Sequence, residues 1–112
     1  MKNIVAIIRP EKLEEIRTAL ESVGYSGIMI SEIEGHGKQK GIVQQWRGEK
    51  YKLDLIPKIK MEVVVKDSEV EIIKKTIIEN ARTGEVGDGK IFIYNVEEVV
   101  RIRTGEEGEP AL

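Results

Sequence analysis

Apolar positions follow two periods along this chain, one typical of strands and one typical of helices. Apolar or β-branched runs at 4–8, 28–33 and 91–96 predict three strands, and strict alternation after Pro57 predicts a fourth with one buried face. Apolar residues three or four positions apart predict two amphipathic helices between these strands. The helical positions are Leu13, Ile16, Leu20 and Val23, and then Val70, Ile73, Ile77 and Ala81.

The element order βαββαβ is typical of a ferredoxin-like α+β fold, with both helices on one face of a four-stranded sheet. We expect residues 1–112 to form one such domain, and Ser68 with Glu71 predicts a capping box at the second helix. Segments 4–8 and 63–65 are apolar on both strand faces, whereas the helices can cover only one. We therefore expect other copies of the chain to cover the second face; the alternative is that these residues remain on the surface.

The connection between the second and third predicted strands is unusually long. It runs from about 37 to 56, is polar and lacks apolar periodicity, whereas an ordinary hairpin loop has roughly 2–5 residues. Trp46 and Arg47 lie in its distal part, and both residue types are favoured at protein interfaces. The connection is therefore predicted to bind a partner; the alternative is a loop whose Trp46 folds back on the sheet.

Composition excludes several function classes. The 18 basic and 20 acidic residues give a net charge of −2, so there is no positive footprint for a nucleic acid. The absence of cysteine excludes disulfides and thiolate metal sites, and a single histidine argues against a histidine metal cluster. No apolar run approaches the roughly 18 residues of a membrane span. We expect a cytoplasmic protein that reaches a membrane only through a protein partner.

The segment 82–90 is the strongest chemical signal. Its three glycines allow backbone N–H groups to gather around an anion, and Lys90 adds a positive charge for a phosphate. Its spacing resembles a Walker A loop, but Ile91 replaces the Ser or Thr that would bind Mg²⁺, and a strand follows instead of a helix. An extended Arg101-Ile102-Arg103 would place two guanidinium groups on one face. Together the two motifs favour a nucleotide; the alternative is a glycine-rich turn with surface arginines.

These segments together resemble the PII signal-transduction family, the sensors of nitrogen status. The run Thr83-Gly84-x-x-Gly87-Asp88-Gly89-Lys90-Ile91-Phe92 resembles the nucleotide loop of that family. The segment Arg101-Ile102-Arg103-Thr104-Gly105-Glu106 resembles its C-terminal segment, which here spans about 101–112. The segments Gly37-Lys38-Gln39-Lys40-Gly41 and Arg47-Gly48-x-x-Tyr51 resemble the base and tip of its long T-loop. The resemblance extends over the whole chain.

The resemblance implies a homotrimer with ATP or ADP in the clefts between neighbouring subunits. The implied nucleotide contacts are Gly37, Lys38, Gly87, Asp88, Gly89, Lys90, Arg101 and Arg103, with Met29, Glu62 and Val64 near the adenosine. It also implies 2-oxoglutarate as an effector, bound through a Mg²⁺ ion that the side chain of Gln39 contacts. Lys58 is implied as the partner of its distal carboxylate, with backbone N–H groups of Gln39, Lys40, Gly41 and Gly87 as further contacts.

A loop that folds over 2-oxoglutarate cannot also extend towards a partner, so the resemblance implies a switch. The implied partner is an ammonium transporter contacted through Arg47, with glutamine synthetase or nitrogenase regulation as alternatives, and Tyr51 is the implied modification site. Lys38 stands where the family often has Arg, and a point charge cannot reproduce bidentate phosphate contacts.

Two other function classes are less consistent with the sequence than a regulatory protein. A small ATP-hydrolysing enzyme would use Lys90, but the sequence offers no carboxylate pair, second histidine or nucleophile–base arrangement for catalysis. An RNA-recognition module needs stacking aromatics on its sheet, and Phe92 is the one candidate. The sequence therefore predicts a regulatory protein rather than an enzyme.

Overall fold

The computed structural model describes residues 1–36, 43–46, 49–52 and 55–112. Six strands and two helices follow one another along these parts of the chain. They are β1 (Lys2–Ile8), α1 (Leu13–Ser22), β2 (Met29–His36), β3 (Val43–Trp46), β4 (Glu49–Lys52), β5 (Leu55–Val65), α2 (Val70–Ala81) and β6 (Lys90–Asn95). Within the described ranges, neither helix has the length and apolar character needed to cross a membrane.

Four of the strands form one antiparallel sheet in the order β2-β5-β1-β6. Strand β5 pairs with one edge of β1, from Lys2 opposite Val65 to Ile8 opposite Ile59. Strand β6 pairs with the other edge of β1, where Ile7 is opposite Lys90. Because β5 lies between β1 and β2, the two strands joined by α1 are separated as in a split βαβ unit. The predicted ferredoxin-like α+β fold is confirmed.

Both helices pack on the same face of the sheet and form the core there. Alternate residues of β1 and β5 point towards the helices, as the period of two predicts. Their partners on α1 and α2 recur at helical spacing, so the predicted apolar stripes are confirmed except at Val23, which follows α1 and is exposed. The buried core consists of Ile4, Ala6, Ile8, Ile16, Leu20, Ile59, Met61, Val63, Val65, Ile73, Ile77 and Ala81.

The opposite face of the sheet is called here the open face. Several of its apolar side chains are exposed in the part of the chain that the structure describes. Val5 at its centre is buried, and it lies opposite Phe92 on one side and Glu62 on the other. Met29, Phe92 and Tyr94 are 52%, 44% and 55% exposed on this face. Phe92 is therefore not the only aromatic residue there, because Tyr94 lies two positions along the same strand. The expected cover by other copies of the chain stays a prediction.

The long connection contains more regular structure than its composition predicts. Strands β3 and β4 form a two-stranded antiparallel ribbon, with Val43 opposite Lys52 and Trp46 opposite Glu49. Each strand has only four residues, which is too short for hydrophobic alternation to stand out in a polar segment. A polar connection without apolar periodicity therefore still contains two strands.

Two local predictions also differ from the structure. The strand predicted to follow Pro57 begins earlier, at Leu55, so that Pro57 lies inside β5. Strand β1 ends opposite Ile59, so at Pro57 the only described neighbour of β5 in the sheet is β2. The missing N–H group of proline is tolerated at such an edge position. The predicted capping box does not form, because Ser68 lies inside a 3₁₀ turn and no described side chain caps the start of α2.

Candidate functional site

The loop between α2 and β6, residues 82–89, forms the structural centre of the site. Gly87 and Gly89 have φ angles of 103° and 101°, a region that residues with a side chain rarely adopt. Gly89 also packs directly on the end of β1. A Cβ atom at Gly89 would lie 1.7 Å from the carbonyl oxygen of Ile7, so this position requires glycine for its space as well as for its angle.

The carboxylate of Asp88 organises the interior of this loop. It accepts hydrogen bonds from the backbone N–H groups of Thr83 and Gly84 at 2.8 and 2.9 Å, and a third from the Thr83 hydroxyl. The Thr83 hydroxyl, the two backbone donors and the guanidinium of Arg9 hold the pKa of Asp88 well below its usual range. The carboxylate of Asp88 is therefore engaged within the loop. What Asp88 can offer to a ligand is its backbone N–H group.

Two cations hold the loop from the ends of neighbouring strands. Arg9, directly after β1, donates from Nη2 to the carbonyl of Val86 at 2.9 Å and from Nε to Asp88 Oδ1 at 3.2 Å. Lys58 on β5 donates from Nζ to the carbonyl of Gly87. Partial burial and repulsion by Arg9 lower the pKa of Lys58. Two consecutive carbonyl groups of the loop are thus bound by positive charges.

These contacts leave the loop with donors available to an anion. The backbone N–H groups of Gly87 and Asp88 donate to no acceptor in the part of the chain that the structure describes. Lys90, the first residue of β6, is exposed beside them. The neighbouring N–H groups, together with Lys90 and Lys58, form an arrangement suited to phosphate or carboxylate groups.

Comparison with known proteins identifies relatives of this chain. Residues 1–106 match the family described as nitrogen regulatory protein P-II. The chain is 55% identical to nitrogen regulatory protein P-II 2 of Methanothermobacter thermautotrophicus, over all of this chain and 97% of that protein. It is 51% identical to nitrogen regulatory protein P-II of Pasteurella multocida and 49% identical to nitrogen regulatory protein P-II 1 of Escherichia coli, over the full length of each.

The chain belongs to the nitrogen regulatory protein P-II family. Its role is therefore in nitrogen signal transduction, and its relatives are named as regulatory proteins rather than enzymes. Both the predicted family and the predicted regulatory class are confirmed.

The structure places the predicted adenosine contacts on other strands than the loop of residues 82–89. Met29 and Glu62 are opposite each other on β2 and β5, and Val64 lies two positions further along β5 on the same open face. In the sheet, β5 and β1 separate β2 from the strand that begins at Lys90. Within a single chain, two strands therefore separate Met29 from Lys90, and one strand separates Glu62 and Val64 from it.

The segment with Arg101 and Arg103 departs from its predicted extended form. Residues 101–105 form a tight turn, closed by a hydrogen bond of 2.7 Å from the N–H of Gly105 to the carbonyl of Arg101. The guanidinium of Arg101 binds Glu106 at 2.9 Å and the Pro110 carbonyl at 3.3 Å. Arg103 is exposed on the turn. The arginines are thus presented by a turn, because the glycine at 105, with a φ of 74°, allows the chain to reverse.

Several predicted site residues lie outside the described residues: Gly37, Lys38, Gln39, Lys40, Gly41 and Arg47. Trp46 is the last residue of β3, and Tyr51 lies on β4. Their predicted contacts, and the modification of Tyr51, stay predictions.

Arg9 is the residue that sequence reasoning missed. It precedes Pro10 at the end of an apolar run and reads there as the end of a strand. Its partners lie 77 and 79 positions away along the chain. A positive charge directly after a buried strand was the one signal in the sequence that could have marked it.

Proposed function

We propose that this P-II protein binds ATP or ADP at the loop formed by residues 82–90 and responds to 2-oxoglutarate at the adjoining Lys58. The side chain of Gln39 would supply an oxygen ligand to Mg²⁺, an ion that would balance the negative charges of ATP and the metabolite in one site. The long connection between β2 and β5 then transmits the ligand state to a partner protein, which we take to be an ammonium transporter. The same ligands could equally serve a switch on glutamine synthetase or on a regulator of nitrogenase.

The observation that carries the proposal is the pair of adjacent backbone N–H groups at Gly87 and Asp88, which lie in a loop held by Arg9 and bordered by Lys90 and Lys58. Polyphosphates and carboxylates are the ligands that such donors and cations favour. Lys58 reaches the carbonyl of Gly87, so a carboxylate bound by Lys58 would lie next to a nucleotide bound by the loop.

The distribution of the proposed nucleotide contacts favours a site between chains. Within one chain, Met29 on β2 is separated from Lys90 by two strands, and Glu62 on β5 is separated from it by one. A neighbouring copy packed on the open face would bring its own Met29 and Glu62 towards this loop and would cover the exposed Phe92 and Tyr94. A homotrimer with three equivalent clefts satisfies both requirements.

We expect the protein to be a trimer in solution, because the exposed apolar side chains of the open face, Met29, Phe92 and Tyr94 among them, are costly to leave in water. Multi-angle light scattering at micromolar concentration measures the mass directly. The variant Phe92→Glu places a charge in the predicted interface and is expected to shift the mass towards the monomer, whereas Glu79→Gln on the outer surface of α2 leaves it unchanged. A monomeric wild-type protein would contradict the proposed architecture.

We expect calorimetry to detect binding of both ATP and ADP, with one nucleotide per chain. Lys90→Met removes one charge-assisted contact and is expected to weaken nucleotide binding by about tenfold or more. Lys75→Met is the matched control, because Lys75 is exposed on α2 and pairs with Glu79 at 3.9 Å. Equal affinities of the Lys90 and Lys75 variants would show that Lys90 does not contact the nucleotide. No nucleotide binding by the wild type would refute the proposed function.

A further inference from the structure

Arg9 holds the loop by two contacts from one planar group. Its Nη2 atom binds the carbonyl of Val86 at 2.9 Å, and its Nε atom binds Asp88 Oδ1 at 3.2 Å. The Arg9 side chain is only 17% exposed, so these contacts are largely shielded from water. The guanidinium is rigid and presents its donors in a fixed geometry. Val86 and Asp88 are therefore fixed relative to each other and to the end of β1.

The first contact also determines the direction of a neighbouring donor. The carbonyl of Val86 and the N–H group of Gly87 belong to one peptide unit, and all peptide bonds described in the structure are trans. In a trans peptide the C=O and N–H bonds point in opposite directions. Holding the carbonyl of Val86 towards Arg9 therefore directs the N–H of Gly87 away from Arg9.

Without this contact the peptide unit would have more freedom to rotate. Gly87 has a φ of 103° and no side chain to restrict it. The loop could then turn the carbonyl of Val86 towards the anion, where it would repel a phosphate oxygen. The second contact opposes this rotation, because Asp88 is already bonded to Thr83 and Gly84.

We propose that Arg9 is the positioning residue of the anion loop: it binds no ligand itself, but directs the N–H group of Gly87 towards the bound phosphate or carboxylate. This inference rests on the proposed function, because it assumes that the loop binds an anion. Lys58 binds the next carbonyl through a flexible stem and a single contact. Arg9, with two contacts and a rigid donor group, imposes the stronger restraint.

The test compares Arg9→Met, Arg9→Lys and a matched control, Arg17→Met, in the full-length protein. Arg17 is half exposed on α1 and pairs with Glu14 at 2.7 Å, away from the loop. Calorimetry with ADP measures binding, and ¹⁵N spectra of the ligand-free protein report on the amide of Gly87. The melting temperature of each variant separates loss of folding from loss of positioning.

We expect Arg9→Met to weaken ADP binding by about tenfold or more and to shift the Gly87 amide signal before any ligand is added. Arg9→Lys keeps the charge but not the two-contact geometry, so we expect an intermediate affinity and an intermediate shift. Arg17→Met should match the wild type in both measurements. If Arg9→Met does not fold, the intermediate result for Arg9→Lys carries the test.

Different results would overturn different statements. Wild-type affinity in both Arg9 variants would overturn the inference while leaving the proposed function intact. Weaker binding with an unshifted Gly87 signal would also overturn it, since Arg9 would then contact the ligand directly. If the wild-type protein does not bind ADP, the proposed function fails and this inference fails with it.

Discussion

Replacing Gly89 by alanine should abolish nucleotide binding and destabilise the protein. The added Cβ atom would lie 1.7 Å from the carbonyl oxygen of Ile7 and 2.8 Å from its carbonyl carbon. Both atoms belong to the backbone of β1, which pairs with β5 and β6 on its two sides and cannot move without disturbing the sheet. The loop must therefore move instead, which displaces the N–H groups of Gly87 and Asp88.

The variant Gly84→Ala is a matched control for the backbone angle. Gly84 has a φ of 89°, similar to that of Gly89, but no described atom outside its chain neighbours lies within 4 Å of the point that a Cβ atom would occupy. It should therefore lose only the roughly 1–2 kcal/mol that a left-handed residue with a side chain costs. Gly89→Ala should lose about 3 kcal/mol or more, because the steric clash adds to this strain.

Urea unfolding gives the free energy of each variant, and calorimetry with ADP gives its affinity. Equal losses in the two alanine variants would mean that the close approach of Gly89 to β1 is unimportant. Retained ADP binding in Gly89→Ala would show that nucleotide binding does not depend on this loop geometry.

The second large effect concerns 2-oxoglutarate, which should bind in the presence of Mg-ATP and fail to bind with ADP. In the proposed site Mg²⁺ would need oxygen ligands from the γ-phosphate as well as from the metabolite, and ADP lacks this phosphate. Mg²⁺ commonly keeps phosphate oxygens among its ligands. Removing the γ-phosphate therefore removes the link between nucleotide and metabolite.

Lys58→Met tests the other end of the metabolite. Lys58 is the proposed partner of the distal carboxylate, so this variant should lose 2-oxoglutarate binding. Because Lys58 also donates to the carbonyl of Gly87, a small decrease in ATP affinity of roughly two- to threefold is expected as well. Lys60→Met, which removes a half-exposed lysine paired with Glu62 at 3.5 Å on the same strand, is the matched control. An equal loss of ATP and 2-oxoglutarate binding in Lys58→Met would contradict its assignment to the metabolite.

The parts of the fold that could be predicted are those with a long periodic signal. Strands β1 and β5 and both helices bury regular sets of apolar residues against one core, and their sequence periods reflect that burial. The ribbon of β3 and β4 has four residues in each strand and few apolar positions, so its pairing left no comparable pattern.

The prediction of an extended segment at 101–103 was wrong for a different reason. Alternating Arg101, Ile102 and Arg103 has the period of a strand, but Ile102 is fully exposed and Gly105 closes a turn instead. The apolar residue therefore marks no buried face within the described chain. A local pattern cannot distinguish these two outcomes when tertiary contacts decide between them.

The candidate site was predicted as a loop but not as a network. Glycine positions and Lys90 are visible in the sequence, because they are close together and chemically distinctive. The contacts of Arg9 with Val86 and Asp88, and of Lys58 with Gly87, join residues far apart in the chain. They depend on the order of strands in the sheet, which brings the end of β1 and the start of β6 to the same place.

The most direct test of the central claim is a calorimetric titration of 2-oxoglutarate into the wild-type protein, carried out once with saturating Mg-ATP and once with saturating Mg-ADP. We predict saturable binding to the Mg-ATP form, with at most one metabolite per chain, and no measurable heat of binding with Mg-ADP. Equal binding to the two forms, or no binding to either, would contradict a switch in which nucleotide and metabolite are joined at this loop.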